Sequence, residues 1–203
     1  MIQGSDEWKI AKLGIPGSSR VVEICKSAKG SYLASRKNYL AEKVCEILTG
    51  TWEENFTSVP MIRGTETEPF ARSAYEAIKG VMVEEHPGMV GELANFWSSP
   101  DGLVGDDGGL EIKCPNTATH IETLMGAPID RNYIYQMQGG MLVFKRQWWD
   151  FVSFDDRLPD FLQLHVRRVM RDETIIAEIT QEVNLFNAEL AAMVDRLKGL
   201  RSN

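Results

Sequence analysis

Residues 98–115 read SSPDGLVGDDGGLEIKCP, from Ser98 to Pro115. LVG at 103–105, the DDGG connection at 106–109 and LEIKC at 110–114 predict a β-hairpin, two short strands around a glycine-rich turn. Side chains alternate along a strand, so Glu111 and Lys113 point to one face while Ile112 and Cys114 point to the other. Asp101 follows Pro100 at the start of the partner strand, in a PDG turn. Folding the second strand back brings Asp101, Glu111 and Lys113 to one edge of the sheet. Two carboxylates can hold a divalent cation, and the Ile112 carbonyl between Glu111 and Lys113 is a natural third oxygen. A lysine beside such an ion can orient or deprotonate a water and neutralise charge on a phosphate oxygen. Read without a site, the same residues are a solvated hairpin with scattered charges.

Upstream of the hairpin the sequence is mainly helical. SDEWKIAKLG (5–14) predicts a short helix capped by Ser5 or Asp6 and closed by Gly14, and SSRVVEICKSA (18–28) another. SYLASRKNYLAEKVCEILTG (31–50) carries Tyr39, Leu40, Val44, Ile47 and Leu48 near helical spacing, with Gly50 at its end. TETEPFARSAYEAIKG (65–80) predicts a helix with Pro69 in its first turn and Gly80 after its last. VMVEE (81–85) and ELANFWS (92–98) read as strands. TATHIETLMG (117–126) and DRNYIYQMQGGMLVFKR (130–146) are helical again. WWDFVSFD (148–155) and FLQLHVRRVM (161–170) are β-rich, and a long helix follows from Asp172. The order predicts an α/β (α+β) chain with a central mixed sheet flanked by helices, in one domain over residues 1–203.

The chain has 203 residues, 43% hydrophobic and 25% charged, in the globular range. No apolar run reaches the 18 or so residues that span a bilayer, and the N-terminus lacks the basic start and apolar stretch of a signal peptide. A cytoplasmic protein is expected. Cys25, Cys45 and Cys114 are too few and too dispersed for a disulfide framework, a CxxC zinc site or a four-cysteine cluster. With three histidines and no HExxH, a metal would be held by carboxylates, which suits Mg²⁺, Mn²⁺ or Ca²⁺. The net charge of −7 weighs against a nucleic-acid partner unless basic groups are gathered locally. There is no GxxxxGK[ST], so no ATP site of that kind is expected.

The hairpin block resembles the core motif of the phage lambda exonuclease and YqaJ-like recombinase family, within the PD-(D/E)xK nucleases. Three further blocks are similar, in the same order. They are EWKIAKLGIPGSS near the N-terminus, RGTETEPFAR (63–72) and NYIYQMQGGMLV (132–143). The resemblance implies a restriction-endonuclease-like core. It implies a Mg²⁺-dependent 5′→3′ exonuclease, with Mn²⁺ able to substitute. The substrate would be linear double-stranded DNA ends, with mononucleotides released and a 3′ tail left. Other nucleases on this core (endonuclease or RecB-like) and a non-catalytic DNA-end-binding protein are the alternatives.

Residue by residue, the resemblance implies that Asp101, Glu111 and the Ile112 carbonyl bind the metal and that Glu68 completes its surroundings, through water if not directly. Lys113 would position the attacking water, with Gln136 beside it. Lys12, Ser19 and Ser99 correspond to a 5′-phosphate pocket, with Ser18 the alternative to Ser19. The family's arginine is here Lys12, a point charge in place of a bidentate fork. Met61 falls at the place of an apolar wedge that separates strands. The resemblance further implies a homotrimeric ring around DNA, a single-strand annealing protein as partner, and a phage or prophage origin in a bacterial host. Arg36, Lys37, Lys43 and Arg72 are candidates for a basic channel lining.

Overall fold

In the computed structural model, which describes residues 3–27, 29–52, 58–92 and 95–200, the hairpin forms the centre of a sheet. Its strands are β4 (Gly102–Val104) and β5 (Gly108–Lys113), antiparallel with Gly102 opposite Leu110. Three more strands complete the order β1-β4-β5-β6-β7: β1 (Val83–Glu84), β6 (Trp148–Phe154) and β7 (Leu164–Met170). Only β5 and β6 run parallel. A parallel pair needs a crossover, and α5 (Thr117–Leu124) and α6 (Arg131–Phe144) supply it.

Alternation along β5 places Leu110 and Ile112 in one apolar layer with Ala71 and Tyr75 of α4 (Val59–Lys79). On the opposite face Met137 and Met141 of α6 pack with Trp149 and Phe151. Beyond α6 lies a helical layer, in which α2 (Val21–Ile24), α3 (Ser35–Thr49) and α8 (Glu173–Gly199) bury Ile24, Leu40, Val183 and Phe186. The remaining elements are α1 (Asp6–Lys12), the two-stranded ribbon of β2 (Met89–Val90) and β3 (Trp97–Ser98), and α7 (Asp160–Gln163). The mixed sheet flanked by helices is the expected fold class.

Several boundaries differ from the reading of the sequence. The helix expected from residue 65 begins at Val59, with Pro60 in its first turn and Pro69 inside it. Two prolines fit a helix start, and the upstream one takes it; Pro69 lies on the exposed side. The helix expected over 18–28 is a 3-10 turn, Ser18–Arg20, followed by four α-helical residues, and Ala28 lies outside the described residues. VMVEE pairs only at Val83–Glu84. Of ELANFWS only Trp97–Ser98 is strand, and residues 93 and 94 are outside the description. FLQLHVRRVM opens with the α7 turn before β7 begins. In the DDGG connection the turn is Gly105–Asp107, while Gly108 and Gly109 already belong to β5.

Candidate active site

The register explains why a proline precedes Asp101. Extending the β4–β5 pairing by two residues from Gly102 and Leu110 brings Pro100 opposite Ile112. Proline has no N–H, so it cannot donate to the Ile112 carbonyl as a strand residue would. Asp101 takes over the other half of that pairing: Ile112 N donates to Asp101 Oδ2 at 2.6 Å. The carboxylate is thereby pinned to the strand, and the carbonyl is left for another partner.

Glu111 and Lys113 lie on the α6 side of β5. Glu111 is 2% exposed. Its Oε1 sits 2.5 Å from Lys113 Nζ in an ion pair, yet has no aligned hydrogen-bond donor. Lys113 Nζ also lies 4.9 Å from the centroid of the Tyr133 ring, on α6. Glu68 enters from α4, where Arg72, one turn later, donates to Glu68 Oε1 at 2.7 Å and to the Asp101 carbonyl at 3.1 Å.

Burial dominates the electrostatics here. Desolvation, then repulsion by Asp101, raises Glu68 to about 7. Desolvation also raises Glu111 to about 7 against the pull of Lys113, and it raises Asp101. Lys113 is pushed up: burial opposes its charge, but Glu111 and Asp101 outweigh burial. Three crowded carboxylates and one firmly charged lysine result.

The ten residues assigned to the metal, the water, the 5′-phosphate pocket and the wedge all line one cleft of about 610 Å³. Asp101, Glu111, Ile112 and Lys113 form its floor, Glu68 and Met61 come from α4, and Gln136 comes from α6. Met61 is 57% exposed at the rim. Lys12, Ser19 and Ser99 line the same cleft from α1, the 3-10 turn and the segment after β3. Ser99 Oγ accepts from Trp97 Nε1 at 2.7 Å and donates to the Pro87 carbonyl at 3.0 Å. Ser18 is buried and donates to Ser98 Oγ, so Ser19, which is exposed, is the freer hydroxyl of the pair. Lys12 Nζ lies 3.6 Å from the Trp8 ring centroid and 5.2 Å from that of Trp52. Desolvation, with Lys43 nearby, lowers Lys12 to about 8.

The channel-lining candidates fare differently. Lys43 is 3% exposed and bound to Glu46, so it cannot line a channel. Arg36 is paired with Glu189, and Arg72 is bound to Glu68 and to the Asp101 carbonyl behind the cleft. The sequence reading did not assign Arg72, Tyr133 or Trp8 to the site. Arg72 had a signal, since it stands four residues after Glu68 on a helix. Tyr133 stands one helical turn before Gln136.

The donor set fits a hard divalent cation. Asp101, Glu111 and the Ile112 carbonyl offer only oxygens. Glu111 Oε1, buried and without an aligned donor, is an acceptor of the kind such an ion satisfies. Among the described residues no group of three or more acidic, histidine or cysteine side chains is already arranged around a common point. The set here is two carboxylates and a backbone oxygen, with Glu68 drawn towards Arg72.

Comparison with known proteins identifies the family. Residues 7–147 match the family described as YqaJ-like viral recombinase domain. The chain is similar to an alkaline exonuclease (LHK-Exo) from Laribacter hongkongensis, 48% identical over 98% of both chains, with a TM-score of 0.89. A structure of LHK-Exo in complex with dAMP gives 46% identity over the same share of each chain and the same TM-score. A phage related exonuclease from Haemophilus somnus 129PT shares the fold, with 16% identity, a TM-score of 0.68 and coverage of 90% of this chain and 96% of that one. No curated protein sequence matches.

Proposed function

The chain belongs to the YqaJ-like viral recombinase family, and from that premise we propose that it is a Mg²⁺-dependent 5′→3′ exonuclease on linear double-stranded DNA. The observation that carries this reading is the Asp101–Ile112 hydrogen bond, which holds a carboxylate beside Glu111 and Lys113 at the end of one strand. Similarity to an alkaline exonuclease over nearly the whole chain supports the reaction class.

Asp101, Glu111 and the Ile112 carbonyl would hold the metal, and Glu68 would complete its surroundings, through water if not directly. A divalent cation bound there stabilises charge on the attacking and leaving oxygens of a phosphodiester. Lys113, paired with Glu111, orients the water or takes its proton and offsets charge on the phosphate. Gln136 offers an amide from the opposite wall. Lys12, Ser19 and Ser99 receive the 5′-terminal phosphate, and Met61 at the rim wedges against the end of the duplex. A homotrimeric ring and a single-strand annealing protein that takes up the 3′ tail complete the proposal, in a phage-type recombination role. No helix among the described residues is long and apolar enough to cross a membrane.

The test is mononucleotide release from linear duplex DNA bearing 5′-phosphate or 5′-hydroxyl ends, with Mg²⁺ or EDTA and a closed-circle control. Release from linear ends only, faster with phosphate and absent in EDTA, is expected. Cutting of the circle identifies an endonuclease instead, and binding without release identifies an end-binding protein.

A further inference from the structure

Lys113 is the last residue of β5 to pair with β6, opposite Ser153. Two residues on, Pro115 has no N–H with which to extend the ladder. A strand end of that kind frays, whereas a reacting group must be held within about 0.5 Å of its productive position. Something beyond the sheet has to hold this end.

Two guanidinium groups converge there. Arg63, on α4, donates through Nη1 to the Pro115 carbonyl at 3.4 Å and through Nη2 to Asp155 Oδ1 at 3.2 Å. Arg157 donates through Nη2 to the same carbonyl at 3.1 Å, and through Nε to Asp155 Oδ1 at 2.6 Å. The Asp155 side chain, just past the end of β6, is fully buried between them. The Thr117 hydroxyl at the start of α5 also favours its charged form. Burial alone would raise the Asp155 carboxyl, but Arg157 and Thr117 hold it well below the usual range, so it stays an anion. Arg63 also pairs with Asp156. The cluster joins the end of β6, the segment leaving β5 and the helix that carries Met61 and Glu68.

We propose that Arg63, Asp155 and Arg157 form a positioning clamp that sets Lys113, through Pro115, against the Glu68 side of the cleft. The proposal rests on the nuclease reading of that cleft. None of the three lines the cleft, so they act through Lys113 and not on the substrate. Arg63 ties its helix to the end of β5, which couples the Glu68 and Lys113 walls. The fork geometry matters, because one guanidinium spans a carbonyl and a carboxylate as an ammonium cannot.

The test is a double-mutant cycle on the full chain with linear 5′-phosphorylated duplex and Mg²⁺, measuring kcat and KM. Arg63→Ala should lower kcat by roughly 10- to 100-fold, the cost of a misplacement near 1 Å, with KM changed less than about threefold. In a Lys113→Ala background the same substitution should change kcat less than about twofold. Arg63→Lys should recover only part of the loss. Asp155→Asn gives a second arm, read beside thermal melting so that lost stability is separated from lost rate. Equal losses with and without Lys113, or an effect confined to KM, overturn the clamp. An inactive wild-type chain overturns the nuclease reading itself, and the clamp's role with it.

Discussion

Asp101 and Ile112 are coupled through a 2.6 Å hydrogen bond from backbone amide to carboxylate, across a position where Pro100 cannot complete the sheet. Proline therefore frees a carbonyl, and the neighbouring aspartate satisfies the amide that would otherwise be left over. Asp101→Asn keeps an acceptor for that amide and removes the charge. The expected result is a folded protein whose Mg²⁺-dependent turnover falls by about 10²- to 10³-fold, as when one aimed electrostatic group is lost. An unchanged Mg²⁺ titration in this variant would remove Asp101 from the site.

Lys113→Ala should lower the rate of mononucleotide release by roughly 10²- to 10⁴-fold, the range for a lost proton-handling or water-orienting group. Because Lys113 pairs with Glu111 at 2.5 Å, its removal also frees that carboxylate. Mg²⁺ affinity, measured by calorimetry, should hold or rise while the rate falls. A parallel fall in both would make Lys113 a support for the metal site and not a group that acts on the water.

Glu68 and Glu111, raised to about 7, give the metal-free site a pH dependence of known sign. Their folded-state values lie above those of the unfolded chain, near 4.3. The folded protein therefore binds these protons more tightly, and the stability they contribute is lost as pH rises through about 7. Mg²⁺ competes with the same protons and relieves the same repulsion. The rise in melting temperature on adding Mg²⁺ should be small at pH 6 and grow through pH 8, with cleavage increasing over the same interval. A Mg²⁺-induced shift that is equal at pH 6 and pH 8 would contradict the crowded-carboxylate reading.

Lys12→Ala should remove most of the advantage of 5′-phosphorylated over 5′-hydroxyl ends while leaving slow cleavage of both. Lys12 is lowered to about 8 by burial, with Lys43 nearby, so its charge is present below that pH and lost above it. In the wild-type protein the phosphate advantage should accordingly shrink as pH rises through about 8. An equal loss on both kinds of end in the variant would move Lys12 out of the phosphate pocket.

How much of this was legible in the sequence depended on range. Strand alternation alone places Glu111 and Lys113 together, and PDG places Asp101 beside them, because those relations span a few residues. That Glu68, Lys12 and Met61 line the same cleft was reached by family resemblance, since no local rule reports contacts over such separations. Tyr133 was missed for the same reason, whereas Arg72 had a local signal in its spacing from Glu68. Each acts through a neighbour on another element, the Asp101 carbonyl and the Lys113 ammonium. The basic-lining candidates failed at Lys43: its spacing from Glu46 is readable in the sequence, but its burial depends on how α3 packs.

The glycines after Asp107 yield the last prediction. Read in sequence they make the turn, yet Gly109 is a strand residue packed against Trp149, and Gly140 of α6 packs against the same indole from the helix side. A Cβ on Gly109 would stand 2.5 Å from Trp149 Cε3, and one on Gly140 would stand 2.9 Å from Cη2. Trp149 is 1% exposed, so the ring has no room to yield. Overpacking of this kind costs about 1–3 kcal/mol, and Gly109→Ala should lower the melting temperature by about 2–12 °C at this chain length. Gly109 precedes Glu111 by two residues on the same face of β5, so a displaced strand should also weaken Mg²⁺ binding. Combining Gly109→Ala with Trp149→Phe should recover part of both losses, because the smaller ring leaves space for the methyl. Recovery in the double variant identifies the close packing of glycine on indole as the cause. A single variant that melts within about 1 °C of wild type would show that the strand can shift freely, and that Trp149 does not hold β5 in place.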